Sequence, residues 1–146
     1  PNGHSCSLGC PGCLEGNVSG TAIASIAKEK FFQNNSKILK DYSIEEINSK
    51  LVFEYALKGD ILCKDILSSV IENLGRGLAS LLAVLNPEVI ILGGSVAQAI
   101  SNNYWNELIK SISYYCIEFY KKSPPVKMTK LGEDASILGA SIIGQN

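Results

Sequence analysis

A short apolar segment between two helical segments constrains the fold of this chain more than any other feature. Residues 89–92 read Val-Ile-Ile-Leu, they follow Pro87, and Gly93 and Gly94 come directly after them. An unbroken aliphatic run of this length is typical of a strand buried on both faces of a parallel sheet. Because helical patterns flank the run on both sides, the sequence predicts an α/β fold.

Three helices are predicted before this strand. The first begins at Thr21 and ends near residue 35. Ser43 and Glu46 form a capping-box sequence, which predicts a second helix from there through Leu57. Asp60 can then cap a third, longer helix that ends before Pro87. Its apolar stripe is predicted to consist of Leu62, Ile66, Val70, Leu74, Leu78, Leu81, Leu82 and Leu85.

The pattern after the strand adds helices but only one further strand. Helices are predicted from Ser95, over residues 103–117 and over residues 134–143, and Val126 and Met128 alternate as in a strand. A sheet of two or three strands is thin for a stand-alone doubly wound fold. The sequence therefore predicts a helix-rich α/β domain over residues 1–146, either a single domain or part of a larger molecule.

Composition and charge exclude several classes of protein. The 146 residues carry 13 basic and 14 acidic side chains, and 46% are hydrophobic, which is enough for one packed core. With Arg76 as the one arginine there is no basic stripe, so we expect no direct nucleic-acid binding. No apolar run approaches the roughly 20 residues that cross a bilayer, and no signal peptide is visible. We expect a cytoplasmic protein that does not contact membranes.

The five cysteines divide into two groups. Cys63 and Cys116 lie in apolar or helical surroundings and are predicted to be buried thiols. Cys6, Cys10 and Cys13 fall within eight residues of a segment rich in glycine, serine and asparagine. Three thiolates at this spacing can converge on one tetrahedral ion, and zinc is the metal that suits them.

The sequence leaves the fourth zinc ligand and two alternatives open. His4 is the one histidine, two residues before Cys6. Residues 1–20 could instead be a disordered tail that carries cysteines, or Cys10 and Cys13 could form an adventitious disulfide. The zinc hypothesis is favoured because three cysteines so close together in a chain without a secretory signal usually bind metal.

Two further positions are candidate binding residues. Gly93, Gly94 and Ser95 lie between a strand and a helix, where backbone N–H groups at a helix start suit a phosphate or a ribose; the alternative is that the glycines only turn the chain. Glu15 follows the cysteine loop and can accept hydrogen bonds from sugar hydroxyls. Its alternative role is to stabilise, by its charge, a helix that starts near Val18.

Residues 6–15 resemble the cysteine loop of the ROK family (repressors, open reading frames and sugar kinases), whose pattern is Cys-x-Cys-Gly-x-x-Gly-Cys-x-Glu. The positions that match are Cys6, Gly9, Gly12, Cys13 and Glu15. Leu8 stands where the pattern has its second cysteine, and Cys10 follows two residues later as a displaced ligand. Residues 18–24, 85–94 and 131–140 resemble three further segments of the family in the same order, so the resemblance covers nearly the whole chain.

The resemblance implies both a fold and a function. It implies the C-terminal lobe of an actin-like, ribonuclease-H-like sugar kinase that phosphorylates glucose or a related hexose with ATP and Mg²⁺. Glu15 would contact the hexose, and Gly93, Gly94 and Ser95 the nucleotide. The general base and the first phosphate loop would lie on an upstream N-terminal lobe, so we assign no catalytic residue here and expect no activity from this chain alone. The alternative is the sugar-sensing lobe of a repressor of the same family.

Aromatic residues on the predicted helix 103–117 bear on oligomerisation. Tyr104, Trp105, Tyr114 and Tyr115 could form a base-stacking surface, but their helical spacing favours packing in the core or between subunits. We therefore expect a homo-oligomer.

Overall fold

The computed structural model describes residues 4–33 and 41–144. Its helices are α1 (Glu15–Val18), α2 (Gly20–Gln33), α3 (Ser49–Leu57), α4 (Ile61–Leu85), α5 (Ser95–Asn103), α6 (Trp105–Tyr115) and α7 (Ala135–Ile143). The strands are β1 (Ile90–Leu92) and β2 (Val126–Met128). Short 3-10 helices cover Glu118–Tyr120 and Gly132–Asp134. The end predicted for the first helix lies outside the described residues. This order confirms a helix-rich α/β fold with few strands.

The helix α4 is the centre of the core. It packs against α3 and α6, and α2 crosses it. Asp60 caps α4 as predicted, because its carboxylate accepts the backbone N–H of Cys63 at 2.9 Å. Asn86, in the left-handed conformation at φ +44°, ends the helix. Both buried thiols are confirmed, since Cys63 and Cys116 lie inside this core.

The predicted stripe of α4 is only partly correct. Leu81 and Leu85 are exposed, whereas Leu67, Ile71 and Ala79 are buried. The physical reason is that α4 is covered by α3 and α6 on different sides, so its buried surface is wider than one stripe.

The capping box is present but does not start a helix. Glu46 accepts hydrogen bonds from both the backbone N–H and the hydroxyl of Ser43, each at 2.8 Å. These bonds close a turn, and α3 begins later at Ser49, where the Asn48 side chain accepts the N–H of Leu51 at 3.1 Å. The predicted start of this helix was therefore wrong by about one and a half turns, because Asn48 and not Ser43 is the residue that caps it.

The two strands form a parallel pair with Ile90 opposite Val126 and Leu92 opposite Met128. The prediction of a strand buried on both faces is wrong for this chain, because Ile91 is 64% exposed. The helix α7 is exposed as well, and its uncovered apolar side chains include Ile137, Leu138, Ile142 and Ile143. No helix among the described residues is long and apolar enough to cross a membrane.

Candidate functional site

The cysteine loop is a small β-hairpin that leads into α1. Ser5 and Pro11 form an antiparallel bridge, and the backbone N–H of Cys6 donates to the carbonyl of Cys10 at 3.2 Å. Gly9 donates its N–H to the carbonyl of Cys6 at 2.9 Å and has φ +79°. A left-handed glycine at the end of a three-residue turn is a standard way to close a hairpin. Cys6 and Cys10 therefore stand opposite each other across the turn.

The three thiols of this loop form one interacting group. The side chains of Cys13 and Cys10 both lie close to the Cys6 thiol. Backbone hydrogen bonds from Cys10 and Leu8 lower the pKa of the Cys6 thiol. The hydrogen bond with Cys6 and the negative charge on Cys6 raise the pKa of Cys10. The structure thus brings together the three cysteines that the sequence analysis singled out.

The loop supplies the sulfur donors that zinc prefers, but its side chains are not arranged as a metal site. Cys6 and its two neighbours, Cys10 and Cys13, supply three sulfur donors, which are ligands that zinc prefers. Within residues 4–33 and 41–144, however, no three histidine, cysteine, aspartate or glutamate side chains are arranged as a metal site. His4, the candidate fourth ligand, has its Nδ1 3.9 Å from Glu29 Oε2. Zinc binding by Cys6, Cys10 and Cys13 therefore stays a prediction.

Glu15 is the first residue of α1 and is exposed. Its carboxylate accepts a hydrogen bond from the Ser7 hydroxyl at 3.1 Å, so the turn of the hairpin holds the glutamate side chain. The position combines the two roles considered for Glu15, because a carboxylate in the first turn of a helix also complements the helix dipole. It leaves oxygen lone pairs open to solvent that can accept hydroxyl hydrogen bonds.

Close packing fixes α1 against the rest of the molecule. A Cβ on Gly16 would lie 2.4 Å from the carbonyl oxygen of His4, so only glycine fits beneath the hairpin. The Leu14 side chain packs on Gly77 of α4, where an added Cβ would meet it at 2.8 Å. This contact ties the start of α1 to the central helix.

The turn between β1 and α5 has the predicted order of strand, two glycines and helix. Gly94 has φ +92°, a conformation that side-chain-bearing residues rarely adopt, and it precedes Ser95, the first residue of α5. Gly93, Gly94 and Ser95 are all exposed. The nine-residue helix α5 thus presents its first N–H groups to solvent, where they can donate to a phosphate or ribose oxygen.

The two candidate regions are neighbours through the starts of α2 and α5. A Cβ built on Gly20, the first residue of α2, would lie 3.6 Å from Cγ2 of Val96 in the first turn of α5. Since α2 follows α1 with only Ser19 between them, the glycine turn and the α1–α2 junction belong to one region of the surface.

Sequence reasoning missed three polar residues of this region. Ser7 positions Glu15, and Asn17 Nδ2 donates to the carbonyl of Cys13 at 2.7 Å. The Ser19 hydroxyl accepts the N–H of Ala22 at 3.1 Å. A serine before a helical pattern is an N-cap signal, so Ser19 could have been found; Ser7 and Asn17 act through the tertiary fold of the hairpin and give no local signal.

Comparison with known proteins agrees with the sequence resemblance. The model of the ROK family matches residues 1–146. The glucokinase of Thermotoga maritima is 32% identical over 98% of this chain, which covers 45% of that protein. The DNA-binding transcriptional repressor Mlc of Escherichia coli is 27% identical over 98% of this chain, which covers 34% of that protein. The chain spans less than half the length of these relatives.

Solved structures give the same result for the fold. A ROK family glucokinase from Streptomyces griseus in complex with glucose and AMPPNP superposes with a TM-score of 0.79 at 25% identity, covering all of this chain and 49% of that one. The ROK hexokinase of Thermus thermophilus gives a TM-score of 0.78 at 29% identity, covering 98% of this chain and 44% of that one. This chain belongs to the ROK family.

Proposed function

We propose that this chain is the C-terminal lobe of an ATP-dependent hexose kinase whose substrate is glucose or a related sugar. The observation that carries the proposal is the 32% identity to a glucokinase over 98% of the chain. It is supported by the similar shape of a glucokinase that holds glucose and an ATP analogue. The reaction moves the terminal phosphoryl group of ATP to a sugar hydroxyl, with Mg²⁺ neutralising phosphate charge.

The hexose would be recognised in part by Glu15. An ionised carboxylate accepts hydrogen bonds from two hydroxyls, and bonds to a charged group are about twice as strong as those between neutral groups. The Ser7 hydroxyl, 3.1 Å from Glu15 Oε1, would keep the carboxylate in one orientation. Because α1 is fixed against α4 through Leu14 and Gly77, the glutamate stands on a rigid support.

The nucleotide would be held by the turn of Gly93, Gly94 and Ser95. Backbone N–H groups at the start of α5 can donate to phosphate or ribose oxygens without a side chain between them and the ligand. The positive φ of Gly94 aims the start of α5 outward and explains why glycine stands there.

Zinc, in this proposal, is a structural ion bound by Cys6, Cys10 and Cys13. It would order the hairpin that carries Ser7 and thereby the position of Glu15, without taking part in phosphoryl transfer. The support is the chemistry of the three thiols and their grouping around Cys6.

A second lobe would cover the apolar surface formed by Ile91 and by Ile137, Ile142 and Ile143 of α7. A two-stranded parallel sheet with one open face is marginal by itself, and parallel sheets are normally covered on both faces. The relatives of this chain are more than twice as long as the part it matches, which supports such a lobe. That lobe would carry the general base and the first phosphate loop.

A sugar-sensing lobe of a transcriptional repressor is the second candidate function. It is supported by the match to Mlc over 98% of the chain. In that case the hexose site would be kept, and a DNA-binding helix-turn-helix would lie upstream in the complete protein.

The test is phosphoryl transfer measured with glucose, other hexoses, ATP and Mg²⁺, on the complete protein and on residues 1–146 alone. We expect turnover from the complete protein and none above background from the chain, because loss of a general base alone costs about 10²–10⁴-fold in rate. Turnover by residues 1–146 alone would contradict the two-lobe assignment. Sugar binding by the complete protein without turnover would favour the repressor.

A further inference from the structure

The hairpin of the cysteine loop brings two thiols together in a way that the family pattern does not require. Cys6 and Cys10 flank a turn of three residues, with the Cys6 N–H on the Cys10 carbonyl and the Gly9 N–H on the Cys6 carbonyl. Residues that face each other across an antiparallel pair have Cα atoms about 4.5–5.5 Å apart. A disulfide spans Cα separations of about 4.4–6.8 Å, so two cysteines placed in this way are candidates for one.

Access distinguishes Cys6, Cys10 and Cys13 from the two core cysteines, and Cys10 is the most exposed of the three. Cys10 is exposed and Cys6 is half-buried, whereas Cys63 and Cys116 lie in the core. Cys13 has a different role in the structure, because its sulfur accepts the backbone N–H of Gly16 at 3.4 Å at the start of α1. Cys10 has the exposure that a peroxide needs, and Cys6 stands across the turn as its partner thiol.

We propose that Cys6 and Cys10 are an oxidation site at which peroxides form an intramolecular disulfide. One thiol attacks the peroxide, becomes a sulfenic acid and releases a first water from hydrogen peroxide. The second thiol then attacks the sulfenic sulfur, forms the S–S bond and releases a second water. Two thiols lose two hydrogens and two electrons, and the peroxide is reduced to two waters.

The disulfide and zinc exclude each other, because zinc needs both sulfurs as thiolates. Oxidation would remove two of the three proposed zinc ligands and enclose Ser7, which holds Glu15, within a five-residue ring. This consequence rests on the proposed zinc site, whereas formation of the disulfide does not.

The test uses the 146-residue chain, reduced and freed of metal with a chelator, and then treated with hydrogen peroxide. We expect the free-thiol count to fall from five to three, with a mass loss of two hydrogens that dithiothreitol reverses. Cys13→Ser should lose two of its four thiols in the same way. Cys10→Ser, its matched control, should lose thiols more slowly than the parent, because only Cys6 and Cys13 then remain in the loop.

The proposal is overturned if Cys10→Ser loses two thiols as fast as the parent, since Cys13 is then the partner of Cys6. A covalent dimer on a non-reducing gel, or a thiol loss without the mass change, overturns it as well.

A second experiment begins with the zinc-loaded chain, adds hydrogen peroxide and follows zinc release with a coloured chelator. If the chain does not take up zinc, the proposed zinc site is contradicted. The disulfide is then still tested by the thiol count after peroxide treatment.

Discussion

The helical core and the cysteine loop of this molecule are held together by different forces. The core of α2, α3, α4 and α6 buries large apolar side chains such as Phe31, Ile66 and Leu82. The loop of residues 4–14 buries little apolar surface. Its shape depends on the backbone hydrogen bonds of a hairpin, on two left-handed glycines and on three thiols. We expect the core to provide the stability, whereas the loop carries the proposed binding residues and should tolerate substitution with little cost to folding.

The largest effect is expected from Ile66→Ala in the second turn of α4. The Ile66 side chain is 1% exposed, and truncating a buried isoleucine costs about 2–5 kcal/mol in the free energy of unfolding. Ile61→Ala in the same helix is the matched control, because Ile61 is 76% exposed and its loss should change stability by less than about 0.5 kcal/mol. Urea denaturation of the two variants measures the difference. Equal destabilisation would show that α4 is not the centre of the core.

A smaller loss is expected where α4 and α6 approach most closely. A Cβ on Gly75 would lie 2.1 Å from Oγ and 2.6 Å from Cβ of Ser111, so Gly75→Ala should cost about 1–3 kcal/mol through overpacking. Gly139→Ala is the control within α7, where a Cβ meets nothing within 4 Å and alanine favours the helix. If thermal melting shows both variants unchanged or stabilised, the two helices are further apart than described.

These contacts show how far the sequence could predict the core. Asp60 as the cap of α4 and the burial of Cys63 and Cys116 follow from local patterns. The exposure of Ile91 could not be predicted, because an unbroken aliphatic run does not tell which of its side chains tertiary packing covers. The helix start predicted at Ser43 was wrong for a similar reason. A capping box closes a turn, but tertiary packing decides whether a helix follows.

The loop was predictable in its residues and not in its geometry. Cys6, Cys10, Cys13 and Glu15 follow from spacing and from the family resemblance, and the structure groups the three thiols. The hairpin that places Cys6 opposite Cys10 depends on backbone hydrogen bonds with no side-chain periodicity. For the same reason the hydrogen bond from Ser7 to Glu15 has no signal in the sequence.

The two buried thiols should react with a maleimide more slowly than the three thiols of the loop. Burial first, and the nearby Asp60 second, raise the pKa of Cys63 to about 12, and burial raises that of Cys116. Because the thiolate is the reactive form, native protein at pH 8 should expose three fast thiols to a maleimide and hold two back until it unfolds. Five fast thiols in the native chain would contradict the buried core.

The smallest effect on folding is expected from Cys10→Ser. In metal-free protein this exposed change should alter the free energy of unfolding by less than about 0.5 kcal/mol. It should nevertheless abolish zinc binding, since two thiolates are a poor tetrahedral site. Metal analysis beside urea denaturation tests both statements. Full zinc content in the variant would remove Cys10 from the proposed ligand set.

The central claim is that the cysteine loop presents Glu15 to a hexose, and the glucose dissociation constant of a Glu15→Gln variant tests it most directly. A hydrogen bond to a charged group contributes about 1.5–3 kcal/mol, so calorimetry on the complete protein should show a rise of roughly 10- to 150-fold. ATP binding and zinc content should be unchanged, and Glu45→Gln, an exposed glutamate outside the loop, should bind glucose like the parent. Normal glucose binding by a stable, zinc-retaining Glu15→Gln variant would contradict the account and leave Glu15 as a helix-start carboxylate.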